Sequence, residues 1–198
     1  HRRLDRSRHC PEVHERARRR PDYRLAVAAA FDDAGRFSSS ASAGAYLGLT
    51  PRGDSTPSAA EVARWPLERV FEHFEKELDV LEERLAEQRR WCARYGLLLV
   101  GYEVGQHAVG VGEVALRDDA LVRLFAQANR DERMGLIYRR LFDRWEDAEG
   151  DLLCHFSGVG PPSRWGHWGL LEHHDDDPNA RPKYRVTLER MRRWRTKP

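Results

Sequence analysis

The chain has 198 residues, 40% hydrophobic and 33% charged, which is ordinary for a globular domain and excludes disorder throughout. Its 34 basic and 32 acidic residues nearly cancel, so the net charge of +2 excludes a general attraction to nucleic acid or anionic membranes. No apolar segment reaches the roughly 18 residues that span a bilayer, and three cysteines far apart in sequence do not indicate a disulfide framework.

Residues 1–23 are predicted to be an arginine-rich tail outside the folded domain. The first 20 residues contain eight arginines and too few apolar side chains to bury a core. A basic arm for nucleic acid is one alternative, but no aromatic residue is interleaved with these arginines to stack on bases. The other alternative is that the segment is not native coding sequence. The folded domain is therefore assigned to residues 24–198.

The apolar patterns alternate between strands and helices. Short apolar runs predict buried strands at 25–31, 97–102 and 152–156. Apolar residues at three- and four-residue spacing predict helices at 67–95, 120–128, 134–145 and 183–194. The turns after the helices are tight, whereas long loops follow the strands at 32–66, 103–117 and 157–180. This asymmetry predicts an α/β fold with parallel strands, either a (β/α) barrel or a doubly wound sheet.

The strand ends carry the candidate functional residues. Because the carboxyl ends of parallel strands meet at one edge of a sheet, the three long loops are expected to form one cleft. Glu103, directly after the second predicted strand, is the candidate catalytic residue. The candidate binding residues are Tyr46, Gln106, His107, His155, Trp165 and Trp168. This combination is typical of sugar recognition, because indole faces stack on a pyranose while polar side chains bind its hydroxyl groups.

Each candidate also has a simpler interpretation. For Glu103 it is a salt bridge with a neighbouring arginine, and for His155 a hydrogen-bonded place in the core. For the two tryptophans it is closure of the end of a core. The tract from His173 to Asp177 is interpreted as a solvated acidic loop, since consecutive side chains point in different directions and do not converge on a metal. No metal and no other cofactor is expected.

Several spaced motifs resemble one known family. They are Tyr102–His107, the run Ala128–Met134 leading to Tyr138, His155–Ser157 and Ser163–Glu172. Together they resemble the C-terminal part of secreted bacterial (β/α)8-barrel proteins, which are related to the retaining glycoside hydrolases of clan A and are sometimes labelled cellulose-binding. The likeness runs from about Leu25 to Trp194. It implies that the three strands are the sixth to eighth of a barrel, that Glu103 is the nucleophile, and that the protein works in the periplasm or outside the cell.

The resemblance also shows what this chain changes and lacks. Val104 stands where the family more often has glycine. A retaining mechanism needs a second carboxyl group about 5–5.5 Å from the nucleophile, which clan A supplies from its fourth strand in an Asn-Glu pair. Because a full barrel needs about 250 residues, that group is expected in sequence upstream of His1. The exposed edges of an incomplete barrel would favour self-association.

Two functional hypotheses follow from these observations. The first is a carbohydrate-active barrel that acts on or binds a polysaccharide or oligosaccharide, with Glu103 as nucleophile. The second is a non-catalytic sugar-binding or structural module derived from such a barrel. Neither hypothesis requires a cofactor, and neither nucleic acid nor a membrane is expected as a partner.

Overall fold

The computed structural model describes residues 46–195, with only the backbone described for Tyr46. Strands and helices alternate along the chain. In order, they are β1 (Tyr46–Leu49), α1 (Ala59–Val62), α2 (Leu67–Tyr95), β2 (Val100–Ala108), α3 (Glu113–Leu116), α4 (Asp119–Arg130), α5 (Glu132–Asp147), β3 (Leu152–His155), a 3-10 helix (Pro178–Ala180) and α6 (Pro182–Arg195).

The three strands form one parallel sheet in the order β1-β2-β3. The central strand β2 is the longest, and its two halves pair with different neighbours. Residues 100–104 pair with β3, whereas residues 105–108 pair with β1. The carboxyl end of β2 therefore extends beyond the end of its pairing with β3, towards the loop that follows β3.

The pairing of β2 with β3 contains a β-bulge. The register shifts between Gly101 and Val104, so Tyr102 and Glu103 together oppose a single residue of β3. Both of these side chains are exposed. A bulge of this kind redirects side chains that would otherwise alternate between the two faces of the sheet.

The helices form where the sequence has an apolar stripe along one helix face or a polar residue that caps the first turn. In α2, the stripe consists of Val70, Phe71, Phe74, Leu78, Leu81 and Leu85, all buried. Ser58 begins α1 with a capping box shared with Glu61. Asp118 and Asp131 accept hydrogen bonds from the first backbone N–H groups of α4 and α5. These contacts satisfy donors that a helix start leaves unpaired.

The helices and one face of the sheet share a single hydrophobic core. The strands contribute Leu47, Leu49, Val104 and Ala108 to it. On the other face, no element of residues 46–195 covers Val100, Tyr102 and Leu152, which are each about half exposed. Parallel sheets are usually covered on both faces, so this uncovered face is an unusual feature of the described part of the fold.

The prediction of an α/β fold with parallel strands is confirmed. The four predicted helices are found within a few residues of their expected bounds. The predicted strand 25–31 and the predicted tail lie outside the described residues. The interpretation of 32–66 as one long loop is wrong in its second part, since Tyr46 begins β1 and α1 follows.

The predicted position of Glu103 at a strand end is also wrong. The strand begins at Val100 rather than at Leu97 and continues to Ala108, so Glu103 lies in its interior. The reason is that residues 103–107 read as a polar loop in the sequence. In the fold their backbone pairs with two neighbouring strands, and the Gln106 amide is buried among protein groups.

Candidate functional site

The carboxyl end of β2 meets the loop after β3 in three packed rings, His107, Phe156 and Trp168, which we term the aromatic cluster. The Trp168 ring centroid lies 5.7 Å from that of His107 and 5.4 Å from that of Phe156. Phe156 is exposed, and the other two side chains are half-buried. The cluster therefore combines a fixed relative orientation of its rings with surface that a ligand can reach.

Trp165 lies in a tight turn that leads into Trp168. Ser163 and Gly166 exchange backbone hydrogen bonds of 3.0 and 3.1 Å, and 64% of the Trp165 surface is exposed. Gly166 has a φ of 148°, and a Cβ atom there would lie 2.4 Å from the Trp168 ring. Glycine is needed at this position because it allows both the turn and the close approach of the indole.

His167 anchors the same loop from within the fold. It is 1% exposed, and its two ring nitrogens lie 3.3 Å and 3.1 Å from the carbonyl oxygens of Ala108 and Val122. A neutral imidazole has one N–H, so it donates to one of these carbonyls in either tautomer. Burial is the main cause that lowers the pKa of His167. The contacts tie the loop to the end of β2 and to α4.

The carbonyl oxygen of His167 accepts two further hydrogen bonds from buried side chains. Gln106 Nε2 donates to it at 2.6 Å and Lys183 Nζ at 3.0 Å. Gln106 Oε1 accepts a hydrogen bond from the backbone N–H of Ala108 at 2.7 Å, and its Nε2 lies 3.5 Å from Asn129 Oδ1. Gln106 is 2% exposed. The Gln106 amide therefore links the end of β2 to the loop that contains His167.

His155 belongs to a second hydrogen-bonded chain. The backbone N–H of Gln106 donates to Tyr138 Oη at 3.2 Å, and this hydroxyl lies 2.9 Å from His155 Nε2. His155 Nδ1 is 3.2 Å from the carbonyl oxygen of Ser157. One tautomer fits all three contacts, with the proton on Nδ1 and Tyr138 donating to Nε2. Burial, followed by the charge of Lys183, lowers the pKa of His155 to about 3, so the ring is neutral at physiological pH.

Glu103 lies on the same strand as His107, in the bulge. Burial lowers the pKa of His107, and the negative charge of Glu103 partly opposes that shift. The Glu103 carboxylate is exposed and influences the imidazole electrostatically from four residues away.

The described residues supply little for a metal ion. Within residues 46–195, no group of three or more His, Cys, Asp or Glu side chains could hold one. In the acidic tract after Glu172, Asp176 accepts hydrogen bonds from the backbone N–H groups of Glu172 and His173 and pairs with Arg181 at 2.7 Å. Among the helices of this part of the chain, none is long and apolar enough to cross a membrane.

Comparisons with known proteins found no relative of this chain. No protein-family model matches the chain, and neither a curated protein nor a solved structure is detectably similar to it. Function therefore has to be inferred from the geometry of the site.

The structure brings together some of the residues that the sequence singled out. His107 and Trp168 are in contact, and His155 lies one residue before Phe156 of the same cluster. Gln106 is engaged by protein groups instead of facing solvent. The side chain of Tyr46 lies outside the described part of the structure.

Sequence reasoning missed three residues of the site, namely Phe156, Tyr138 and Lys183. Phe156 was treated as the end of a strand and Tyr138 as part of a helix stripe. Lys183 did carry a signal. It is one of three lysines in a chain whose basic residues are otherwise arginine, and it stands at the start of an arginine-rich helix.

Proposed function

We propose that this chain binds carbohydrate on the aromatic cluster. The observation that carries the proposal is a solvent-accessible set of packed rings with an imidazole at its edge, close in sequence to the exposed Trp165. Ring faces provide stacking surface for a pyranose, and the His107 imidazole provides a hydrogen-bonding group for a hydroxyl. The two buried hydrogen-bonded chains supply the rigidity that such a surface needs.

We also propose that the fold is the last three βα units of a (β/α)8 barrel. Strands of a barrel follow one another in chain order and keep one face turned inward. The order β1-β2-β3 supports this proposal, as does the uncovered face with Val100 and Tyr102. The rival, a doubly wound sheet, carries helices on both faces. Among the residues that the structure describes, the core lies on one face of this sheet, which favours the barrel.

A second candidate function is hydrolysis, supported by the exposure of Glu103 in the bulge. In a retaining glycosidase this carboxylate would attack the anomeric carbon, and a second carboxyl group would protonate the leaving oxygen. Hydrolysis of β-glycans that persists unchanged in Glu103→Gln would end the assignment of Glu103.

Binding is tested by titrating the chain with a panel of soluble β-glycans, using isothermal calorimetry or affinity electrophoresis. Trp168→Ala is expected to weaken binding by at least about tenfold, because it removes a stacking ring. The matched control is Trp91→Ala, which removes a partly exposed indole from the C-terminal part of α2. Equal affinities for the two variants would contradict the proposed site.

A further inference from the structure

Lys183 occupies an unusual position for a lysine. It is 2% exposed at the start of α6, and its ammonium donates to two consecutive carbonyl oxygens, those of His167 at 3.0 Å and Trp168 at 3.2 Å. Both acceptors are neutral. The Lys183 Nζ atom also lies 5.7 Å from the centre of the Tyr138 ring. The charge is therefore compensated mainly by dipoles and by a ring face.

This arrangement is poorly explained by stability. A cation in the first turn of a helix is opposed by the helix dipole, and a buried charge costs free energy unless it is paired. Arg190 of the same helix shows the alternative, because it is also buried but forms salt bridges with Asp143 and Glu146. A buried group placed against these rules is often retained for the site that it serves.

The orientation of the Trp168 indole depends on contacts other than a hydrogen bond from its own ring. Its N–H is buried, and the described residues give it no hydrogen-bond partner. The ring is held by contacts with His107 and Phe156, and its backbone is held by Lys183. Lys183 donates to the carbonyl oxygens of the two peptide bonds that flank Trp168, one from His167 to Trp168 and the other from Trp168 to Gly169.

We propose that Lys183 is a positioning residue for Trp168, whose buried ammonium fixes the two carbonyls and thereby the orientation of the indole on the aromatic cluster. The part that concerns carbohydrate rests on the proposed function. The consequence is a binding surface whose geometry depends on one proton. When the ammonium becomes an amine, its hydrogen bonds to the carbonyls weaken and the indole loses its fixed orientation.

Charged and titratable groups face Lys183 from every neighbouring element. They are Tyr138 of α5, His155 of β3, and His167, Glu172 and Arg181 of the loop before α6. Glu172 forms two hydrogen bonds with Arg130 and a salt bridge with Arg181, which reduces what it offers to Lys183. Burial lowers the pKa of Lys183 to about 7, with Glu172 opposing the shift. The two buried histidines have lowered pKa values, so they titrate on the acidic side.

The test follows Trp168 directly by fluorine NMR of protein labelled with 5-fluorotryptophan. The chain has six tryptophans, and Trp168→Phe identifies the resonance of interest. In the wild type this resonance is expected to shift with a midpoint near pH 7. Lys183→Met should change the chemical shift of the Trp168 resonance and abolish its pH dependence near pH 7. Lys183→Arg should also abolish this pH dependence, although it keeps the positive charge. Lys76→Met, at an exposed lysine of α2, is the control and should match the wild type.

A Trp168 resonance that stays constant between about pH 5.5 and 9 in the wild type overturns the proposal, and this measurement needs no variant to fold. An unchanged step in Lys183→Arg does the same. His107 touches the ring but has a lowered pKa, so its own step falls at lower pH and disappears in His107→Gln.

Carbohydrate affinity is measured separately and is expected to fall about tenfold in Lys183→Met. If the Trp168 resonance shifts near pH 7 but the chain binds no carbohydrate, the proposed function is wrong and the positioning role of Lys183 stands. If the chain binds carbohydrate but the resonance does not shift, only the positioning role is wrong.

Discussion

Replacing Gly105 by alanine tests the hydrogen-bonded chain that holds the end of β2. Gly105 has a φ of 147°, and a Cβ atom there would lie 2.8 Å from Tyr138 Oη and 2.9 Å from His155 Nε2. These two atoms already form a hydrogen bond with each other at 2.9 Å. The methyl group would therefore strain the backbone and separate a buried polar pair.

The expected loss of stability has two parts. An L-residue in this backbone region costs about 1–2 kcal/mol. Displacing the hydroxyl and the imidazole breaks the hydrogen bond between them and the one from the Gln106 backbone to Tyr138, at about 1 kcal/mol each. The free energy of unfolding should fall by about 3–4 kcal/mol, as measured by urea denaturation followed by far-UV circular dichroism.

Two other glycines separate the parts of this effect. Gly112 has a φ of 88° with no heavy atom within 4 Å of its would-be Cβ, so Gly112→Ala should show the strain alone, about 1–2 kcal/mol. Gly158 has open space and no positive φ, so Gly158→Ala should change stability by less than about 0.5 kcal/mol. The reasoning is refuted if Gly105→Ala is no more destabilising than Gly112→Ala. It is also refuted if Tyr138→Phe, which removes the obstructing hydroxyl, relieves none of the effect in the double variant.

Three further changes probe the charged groups around the site. Stability of the wild type should rise between about pH 7 and 10, because the unfolded lysine at 183 still binds a proton where the folded one, with its lowered pKa, does not; urea titrations at several pH values should show a flatter profile for Lys183→Met. Hydrogen bonds from Arg130 are the main cause that lowers the pKa of Glu172, so this residue stabilises the fold above its unfolded pKa of about 4.5 and loses that contribution as the pH falls. Glu172→Gln should cost about 1–2 kcal/mol at pH 7, and the difference from the wild type should shrink in acid denaturation curves. Arg190→Met should lower the thermal midpoint by losing the pairs with Asp143 and Glu146, yet leave the Trp168 resonance and carbohydrate affinity unchanged.

The helices could be predicted from sequence because their signals are local. The buried stripe of α2 recurs at three- and four-residue spacing, and Asp118 stands where a capping residue is expected before α4. The same holds for the parallel α/β class, which follows from the alternation of strands and helices. Such features need no knowledge of distant contacts.

The strand errors have a different physical origin. β1 has four residues within a segment rich in glycine, serine and alanine, and its pattern of Leu47 and Leu49 is too short to stand out. The second half of β2 gives a weak strand signal, because Gly105 has a low strand propensity and the polar residues Gln106 and His107 follow it. These residues form a strand because the fold supplies β1 as a pairing partner, with Tyr138 and the His167 carbonyl oxygen as hydrogen-bond partners for Gln106.

The candidate site was only partly predictable for the same reason. An indole and an imidazole can be recognised as candidates by residue type, which identified Trp168 and His107. The partners that hold them, Lys183 and Tyr138, lie far away in sequence and are recognisable only when the helices are packed. Residue type thus indicates what a side chain is able to bind, whereas distant contacts decide whether it is free to do so.

The position of the aromatic cluster relative to the uncovered sheet face decides what a covering element would leave exposed. Val100 and Leu152 pair near the amino ends of β2 and β3, whereas His107 lies close to the opposite end of β2. Any element or second copy that covers the apolar side chains can therefore bury Val100 and Leu152 without reaching His107. Glu103 and Tyr102 lie between these two regions, because the bulge turns both towards solvent. A cover that closes the face completely would bury the Glu103 carboxylate and require a cationic or hydrogen-bonding partner for it. A cover that stops at the bulge leaves the Glu103 carboxylate exposed, as the proposed hydrolysis requires.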